Sequence, residues 1–216
     1  RWGIREFNPY VEADLNTHLR DEVATRTLRG GLVVDFLAGG QFTAQVADRY
    51  ERLFQETPIA GAVVAPGTYE WVEPELRLST PGNLPVFVSG GVQWGDFYDG
   101  SRTSLSADLT VRPDEHVALE LGAQRNDLLL GGEDFTADLY SARLRFAANT
   151  RLFFLAFAQY NESTDELIVN ARVNLMHAPL SDVFLVYTER RSLADGVADP
   201  LLERGFTLKV TKLFAF

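Results

Sequence analysis

The side chains best suited to chemistry in this chain are three histidines, His18, His116 and His177, and two serines upstream of the second, Ser104 and Ser106. A serine served by a histidine base and a carboxylate would make an acyl-transfer nucleophile. No G-x-S-x-G stretch sets either serine on a sharp turn. Each histidine falls near a strand end or in a turn, so these residues read as ordinary polar positions. Metalloprotease and dinucleotide motifs are missing. With no cysteine there is no disulfide, thiolate metal site or cysteine nucleophile. Neither a catalytic residue nor a cofactor is expected.

Carboxylates gather in the links between apolar segments: Glu56, Asp96, Asp99, Glu133, Asp134, Glu162, Asp165, Asp195 and Asp199. Such oxygen ligands suit calcium. Asp96 and Asp99, in a short glycine-bounded loop, are the metal candidates, with a structural turn as the plainer reading. Arginines sit instead within the apolar segments, at Arg29, Arg49, Arg143, Arg145 and Arg172. They share a parity with Glu12, Asp14, Asp108 and Glu120. Together they make either an anion path or, more plainly, cross-strand ion pairs. Net charge is −10, which argues against a nucleic-acid partner, since phosphate binding needs clustered Lys and Arg.

The elements that carry these residues alternate with period two. In Glu166–Met176, Leu167, Val169, Ala171, Val173 and Leu175 share one parity while Asn170, Arg172 and Asn174 take the other. Side chains alternate across a strand, so one face is oily and one wet. The pattern predicts about twelve strands: Ile4–Leu19, Val23–Phe36, Gln41–Phe54, Thr68–Thr80, Pro85–Trp94, Ser101–Val111, His116–Asn126, Phe135–Ala147, Arg151–Tyr160, Glu166–Met176, Asp182–Glu189 and Leu202–Phe216. Most reach the roughly ten residues that cross a bilayer when tilted; soluble strands average nearer five or six. No apolar run approaches the ~20 residues of a membrane-spanning helix. The mean hydropathy of −0.07 agrees with strands that are polar on one side.

The links sort by length. Ala38–Gly40, Pro81–Asn83, Arg112–Glu115, Ala148–Thr150 and His177–Ser181 are tight. Gln55–Gly67, Gly95–Gly100, Asp127–Asp134, Asn161–Asp165 and Arg190–Pro200 are longer, and the two sets mostly alternate. Short turns on one side and long loops on the other mark an outer-membrane β-barrel. The expected fold is therefore an all-β, antiparallel up-and-down transmembrane β-barrel over 1–216. It closes with its own strands or forms part of a wider barrel. Leu28, Leu32, Val34, Phe36, Phe42, Val46, Val86, Val88, Trp94, Leu105, Leu109 and Leu121 are assigned to lipid. Glu12, Asp14, Arg29, Arg49, Asp108, Glu120, Arg143, Arg145 and Arg172 are assigned to the lumen. Tyr69, Trp71, Trp94, Phe97, Tyr98, Tyr160, Tyr187 and Phe214 read as interfacial girdles. Arg151–Tyr160 departs from the pattern, being apolar on both parities.

Three stretches and the final segment carry a resemblance: Trp94-Gly95-Asp96-Phe97-Tyr98-Asp99-Gly100, Gln159–Leu167, Asp182–Arg191 and Leu208-Lys209-Val210-Thr211-Lys212-Leu213-Phe214-Ala215-Phe216. In order and spacing they resemble an uncharacterised family of Gram-negative outer-membrane proteins. That family joins an N-terminal domain similar to family-nine carbohydrate-binding modules to a membrane-associated barrel. It more often has Tyr where Lys212 stands. The resemblance implies the C-terminal part of a longer protein in the bacterial outer membrane, its C-terminus in the periplasm. The implied partners are the lipid bilayer and carbohydrate held through the N-terminal domain; lipopolysaccharide, bridged to the acidic links by divalent ions, is a further expectation from the carboxylates.

Phe214 and Phe216 share the apolar parity of the last strand, and an edge strand ending in a Phe carboxylate suits capture by strand addition. Barrel-assembly machinery is the partner implied, with a lower aromatic girdle as the alternative. The expected function is passage or surface handling of a ligand. Alternatives are a soluble, secreted β-sheet binding module and, more remotely, an outer-membrane barrel hydrolase.

Overall fold

A computed structural model of the chain describes residues 3–18, 22–59, 62–196 and 200–213. Their strands are β1 (Ile4–Thr17), β2 (Val23–Phe36), β3 (Gln41–Leu53), β4 (Thr57–Ile59), β5 (Ala62–Val64), β6 (Gly67–Ser79), β7 (Val86–Phe97), β8 (Gly100–Val111), β9 (Val117–Leu130), β10 (Glu133–Asn149), β11 (Leu152–Asn161), β12 (Glu166–Ala178), β13 (Ser181–Ser192) and β14 (Leu201–Thr211). Twelve form one antiparallel sheet in the order β1-β2-β3-β6-β7-β8-β9-β10-β11-β12-β13-β14, and β4 pairs only with β5. The up-and-down order expected from the hydrophobic alternation is present. Among the described residues β1 and β14 each have one sheet neighbour, so the sheet is not closed.

Strands run further than the alternation predicts, at the expense of the longer links. The expected loop Asp127–Asp134 contracts to Gly131-Gly132, because β9 continues to Leu130 and β10 begins at Glu133. Both glycines have positive φ, 59° and 81°, which suits the tight hairpin turn that two glycines allow. Gly95–Gly100 contracts likewise to a turn at Tyr98 and Asp99. Gln55–Gly67 is no plain loop but holds the β4–β5 hairpin.

The chain divides into two compact units, Arg1–Ala107 with Gln124–Ala137, and Asp108–Ala123 with Asp138–Phe216. The first has a small core of Trp71, Phe97, Leu128 and Leu130, against which Ile59, Ala62, Tyr69, Tyr98 and Phe135 pack. Trp71 belongs to the polar parity of β6, opposite Arg49. Here the polar face turns apolar, and the β4–β5 hairpin covers it through Ile59 and Ala62. Tyr69, Trp71, Phe97 and Tyr98, expected in an interfacial girdle, belong to this packed cluster instead. Period two alone cannot separate a girdle aromatic from one turned inward under a hairpin.

In the second unit the only buried side chains among the described residues are Asp138 and Ser181. The doubly apolar segment β11 is resolved by register. Phe157 stands opposite Arg143 and Asn170, and Leu155 opposite Arg145 and Arg172. The Arg143 guanidinium lies 5.3 Å from the Phe157 ring centroid. These apolar side chains therefore share the arginines' face, where they separate like charges and offer a ring to a cation.

Candidate functional site

Most strands of the main sheet divide into a polar and an apolar face, β11 being apolar on both parities, and the polar face of the first unit is wired by hydrogen bonds. Gln45 and Glu75 are register partners; Gln45 donates to Glu75 at 2.5 Å and accepts from the Tyr10 hydroxyl, while Arg77 donates to Glu75 at 3.0 Å. Nearby, Arg29 donates to Glu12 at 2.7 Å. One step towards the core cluster, Glu73 is 1% exposed and accepts from Arg49 at 2.5 Å and from Arg102. Arg102 also covers the Phe97 ring at 4.4 Å. Burying a carboxylate is costly unless it is paired and hydrogen-bonded, and two guanidiniums meet that need.

Beside this group the Tyr98 hydroxyl donates to Glu51 at 2.8 Å. Burial, then the Glu51 carboxylate it faces, pushes the phenol well above its ordinary value. The indole N–H of Trp71 and the Nε of Arg102 are buried without a hydrogen-bond partner.

In the second unit Arg143 donates to Glu120 at 3.2 Å, and Arg145 reaches the other oxygen of the same carboxylate. Gly122 is close-packed beneath: a Cβ there would lie 2.8 Å from Ser141 Oγ and 3.3 Å from Asp108 Oδ1. Of the arginines singled out in the sequence, Arg29, Arg49, Arg143 and Arg145 thus face carboxylates. Arg49's partner, Glu73, and the second guanidinium, Arg102, escape the sequence reading. Their parity signal was present, since Glu73 shares a face of β6 with Trp71 and Glu75, but the register joining β3 to β6 is not in the alternation. Asp14 lies opposite Thr27 on β2.

The apolar face is mostly exposed in both units. Leu28, Val46, Leu78, Val86, Val88 and Leu105 are exposed in the first unit, and Leu121, Leu185 and Leu208 in the second. Val11 is 79% exposed on this face and Leu208 67%. Val34 is the exception, buried at 7%. On β7 the apolar row from Val86 to Trp94 covers about 27 Å of strand at ~3.4 Å per residue. Tilted by ~40°, that spans roughly 20 Å, near the ~25 Å apolar band of a membrane barrel.

The row gives way to ions and tyrosines towards one end of the strands. In the first unit Arg26 pairs with Asp48 at 3.1 Å and lies over Tyr50 at 5.6 Å. In the second, Tyr160 donates to Asp165 at 2.9 Å and stacks on Tyr140, whose own hydroxyl donates to Asp138 at 3.1 Å. Tyr187 donates to Glu189, which Arg204 holds at 2.8 Å. Rings beside the oily row with hydroxyls on carboxylates suit a boundary between apolar and wet surroundings.

The remaining sequence candidates are dispersed. Asp99 accepts from the Gly131 N–H at 3.4 Å, the structural turn role. No group of three His, Asp or Glu able to hold a metal occurs among the described residues, Asp96 and Asp99 included. His116 bonds the Ala147 carbonyl at 2.7 Å through Nδ1. Phe214 and Phe216, the expected assembly signal, lie outside the described residues, as does Asp199. Comparison of the chain with protein-family models, curated proteins and solved structures finds no match.

Proposed function

We propose that this chain forms membrane-spanning sheet of an outer-membrane barrel, its apolar face against acyl chains and its polar face lining a wet interior through which a ligand passes or is handled. One observation carries the reading. The second unit buries no apolar side chain among its described residues, yet β10 and β12 alternate oily and polar residues over most of their length, β11 being apolar on both parities. A sheet in water needs a second apolar layer over its oily face; hydrocarbon supplies that cover without one. Main-sheet strands of 10 to 17 residues and the tyrosine–carboxylate boundary support the same reading.

The reading carries a requirement at the edges. An unpaired N–H in hydrocarbon costs several kcal/mol, so β1 and β14 must both be paired in the membrane, with each other or with further strands. Lipid and lipopolysaccharide are the surroundings proposed, with delivery by barrel-assembly machinery through the final strand. The resemblance noted above adds carbohydrate as the class of ligand met by a companion N-terminal domain.

The test is refolding. Detergent or vesicles should be needed to keep the chain in solution, and the folded form should migrate differently from the heated form on a gel. A refolded chain that is monomeric and fully soluble in plain buffer would overturn the proposal in favour of a secreted binding module.

A further inference from the structure

The apolar face of the first unit carries a recess of about 530 Å³ where it meets the tight turns. Phe36, Leu78 and Val88 wall it, the last two exposed. Gly90, the register partner of Leu78, and Ala107 leave the space between these larger side chains. The turns at 37–40 and 80–85 meet at its mouth, where a Cβ on Gly39 would lie 2.9 Å from the Pro81 ring. From Pro81 to the level of Leu78 and Gly90 the recess runs about 10 Å, at ~3.4 Å per strand residue.

Neither backbone nor packing calls for glycine at position 90. Its φ is not positive, and a Cβ there would meet only the Ser106 carbonyl oxygen, at an ordinary 3.4 Å. The adjacent Gly91 does have a steric reason, since its Cβ would crowd Ser106 Oγ at 3.1 Å. Glycine inside a strand weakens it, and marks a bulge, a bend or the close approach of another molecule. Leu76 to Ser79 pair with Ser89 to Val92 without a register shift, which leaves close approach.

The lining states what can approach. No charged side chain borders the recess. The Thr80 hydroxyl is tied to the Val88 backbone, accepting its N–H at 2.8 Å. Ser79 and Ser89 are register partners one residue along from Leu78 and Gly90, so they belong to the opposite face. What enters is therefore uncharged and carries no group in need of a hydrogen bond. At the mouth the exposed Gly82 and Asn83 leave room for a polar head in water.

We propose that this recess holds one acyl chain of a membrane phospholipid, kept by the protein when the surrounding lipid is exchanged. The proposal rests on the membrane reading, in which tight turns stand on the periplasmic side, away from the lipopolysaccharide leaflet. The chain lies between Leu78 and Val88 over Gly90 and Ala107, and its headgroup sits by the Pro81 turn.

Native mass spectrometry tests it, on the full chain folded into phosphatidylethanolamine vesicles and then dissolved in dodecyl maltoside. The parent should keep one phospholipid per protein. Gly90→Leu and Ala107→Leu fill the recess from two different strands. Each should lower the retained fraction ~10-fold, the effect of displacing about two buried methylenes. Gln124→Lys, on the polar face, should retain lipid like the parent. Heat-modifiable gel mobility confirms that each variant is folded. A parent that folds in the vesicles yet keeps no phospholipid overturns this proposal alone, as does full retention in either filled variant. Displacement of the phospholipid by an equal concentration of palmitate overturns it in favour of a free fatty acid. A parent that stays in solution without entering vesicles overturns the membrane reading, and this proposal with it.

Discussion

Arg49 holds Glu73 at 2.5 Å although the two are not register partners: Arg49 stands opposite Trp71, and Glu73 opposite Ala47. The pair is diagonal, a separation that long side chains span across a sheet. Ala47, itself 3% exposed, is too short to claim the carboxylate opposite it. Arg102 then closes on the other oxygen.

Glu73→Gln should therefore be costly. It removes the charge that two guanidiniums share and leaves both facing a neutral amide. Because the arginines are themselves partly exposed, at 32% and 23%, the expected loss is about 2 kcal/mol rather than the ~3–5 kcal/mol of a fully buried broken pair. Urea unfolding followed by tryptophan fluorescence measures it, since Trp71 packs beside the pair. An unchanged midpoint would show that Glu73 contributes nothing net.

The Tyr98 phenol gives the fold a defined weakness in alkali. Its folded value is raised, by burial first and then by Glu51, while the unfolded value is the ordinary ~10. Above about pH 10 the unfolded chain has lost a proton that the folded chain keeps, so stability falls as pH rises. Below pH ~10 the contribution is intact. Tyr98→Phe should make this descending limb shallower between roughly pH 10 and 12. A variant that loses stability over that range as steeply as the parent would assign the limb to other groups.

Much of this architecture was legible in the sequence. Strand existence, order and facing follow from period-two alternation, because a one-residue slip would exchange the two faces. What alternation cannot supply is reach. Leu128 and Leu130 look like loop residues beyond Asn126 until Gly131 and Gly132 are seen to turn the chain at once. Nor can it say which inward residue meets which, so Arg49 was readable as a lumen cation while its diagonal to Glu73 was not. Trp71 and Phe97 were misplaced for a related reason: both strand-end aromatics, they differ from Trp94 only in parity and in the hairpin that reaches over them.

The turn at Tyr98 and Asp99 leads to a close approach that a methyl group should test. A Cβ on Gly100 would lie 1.7 Å from the Leu129 carbonyl oxygen, whereas Gly82, in a turn, has nothing within 4 Å of that position. Gly100→Ala must push β8 from β9 beside Leu130, which is fully buried. A loss of more than ~2 kcal/mol is expected, against less than ~0.5 kcal/mol for Gly82→Ala, an ordinary surface change. Parallel denaturant titrations compare the two, and equal midpoints would contradict the β8–β9 spacing.

The apolar face yields the prediction that separates lipid from water as its cover. Leu76 lies mid-strand on β6, opposite Ala44 and Val92, and is 38% exposed. Against acyl chains near the midplane, arginine there should cost about 2–4 kcal/mol. In plain buffer the same exposed substitution should stay within ~0.5 kcal/mol. Gln124→Lys, on the polar face of β9 beside Asn126, is the matched control and should be tolerated in either medium. The readout is the fraction of chain folded into vesicles, taken from heat-modifiable gel mobility. Leu76→Arg should lower that fraction several-fold while Gln124→Lys leaves it near the parent's. If Leu76→Arg inserts as well as the parent, or if both variants fail alike, the oily face of β6 does not meet lipid.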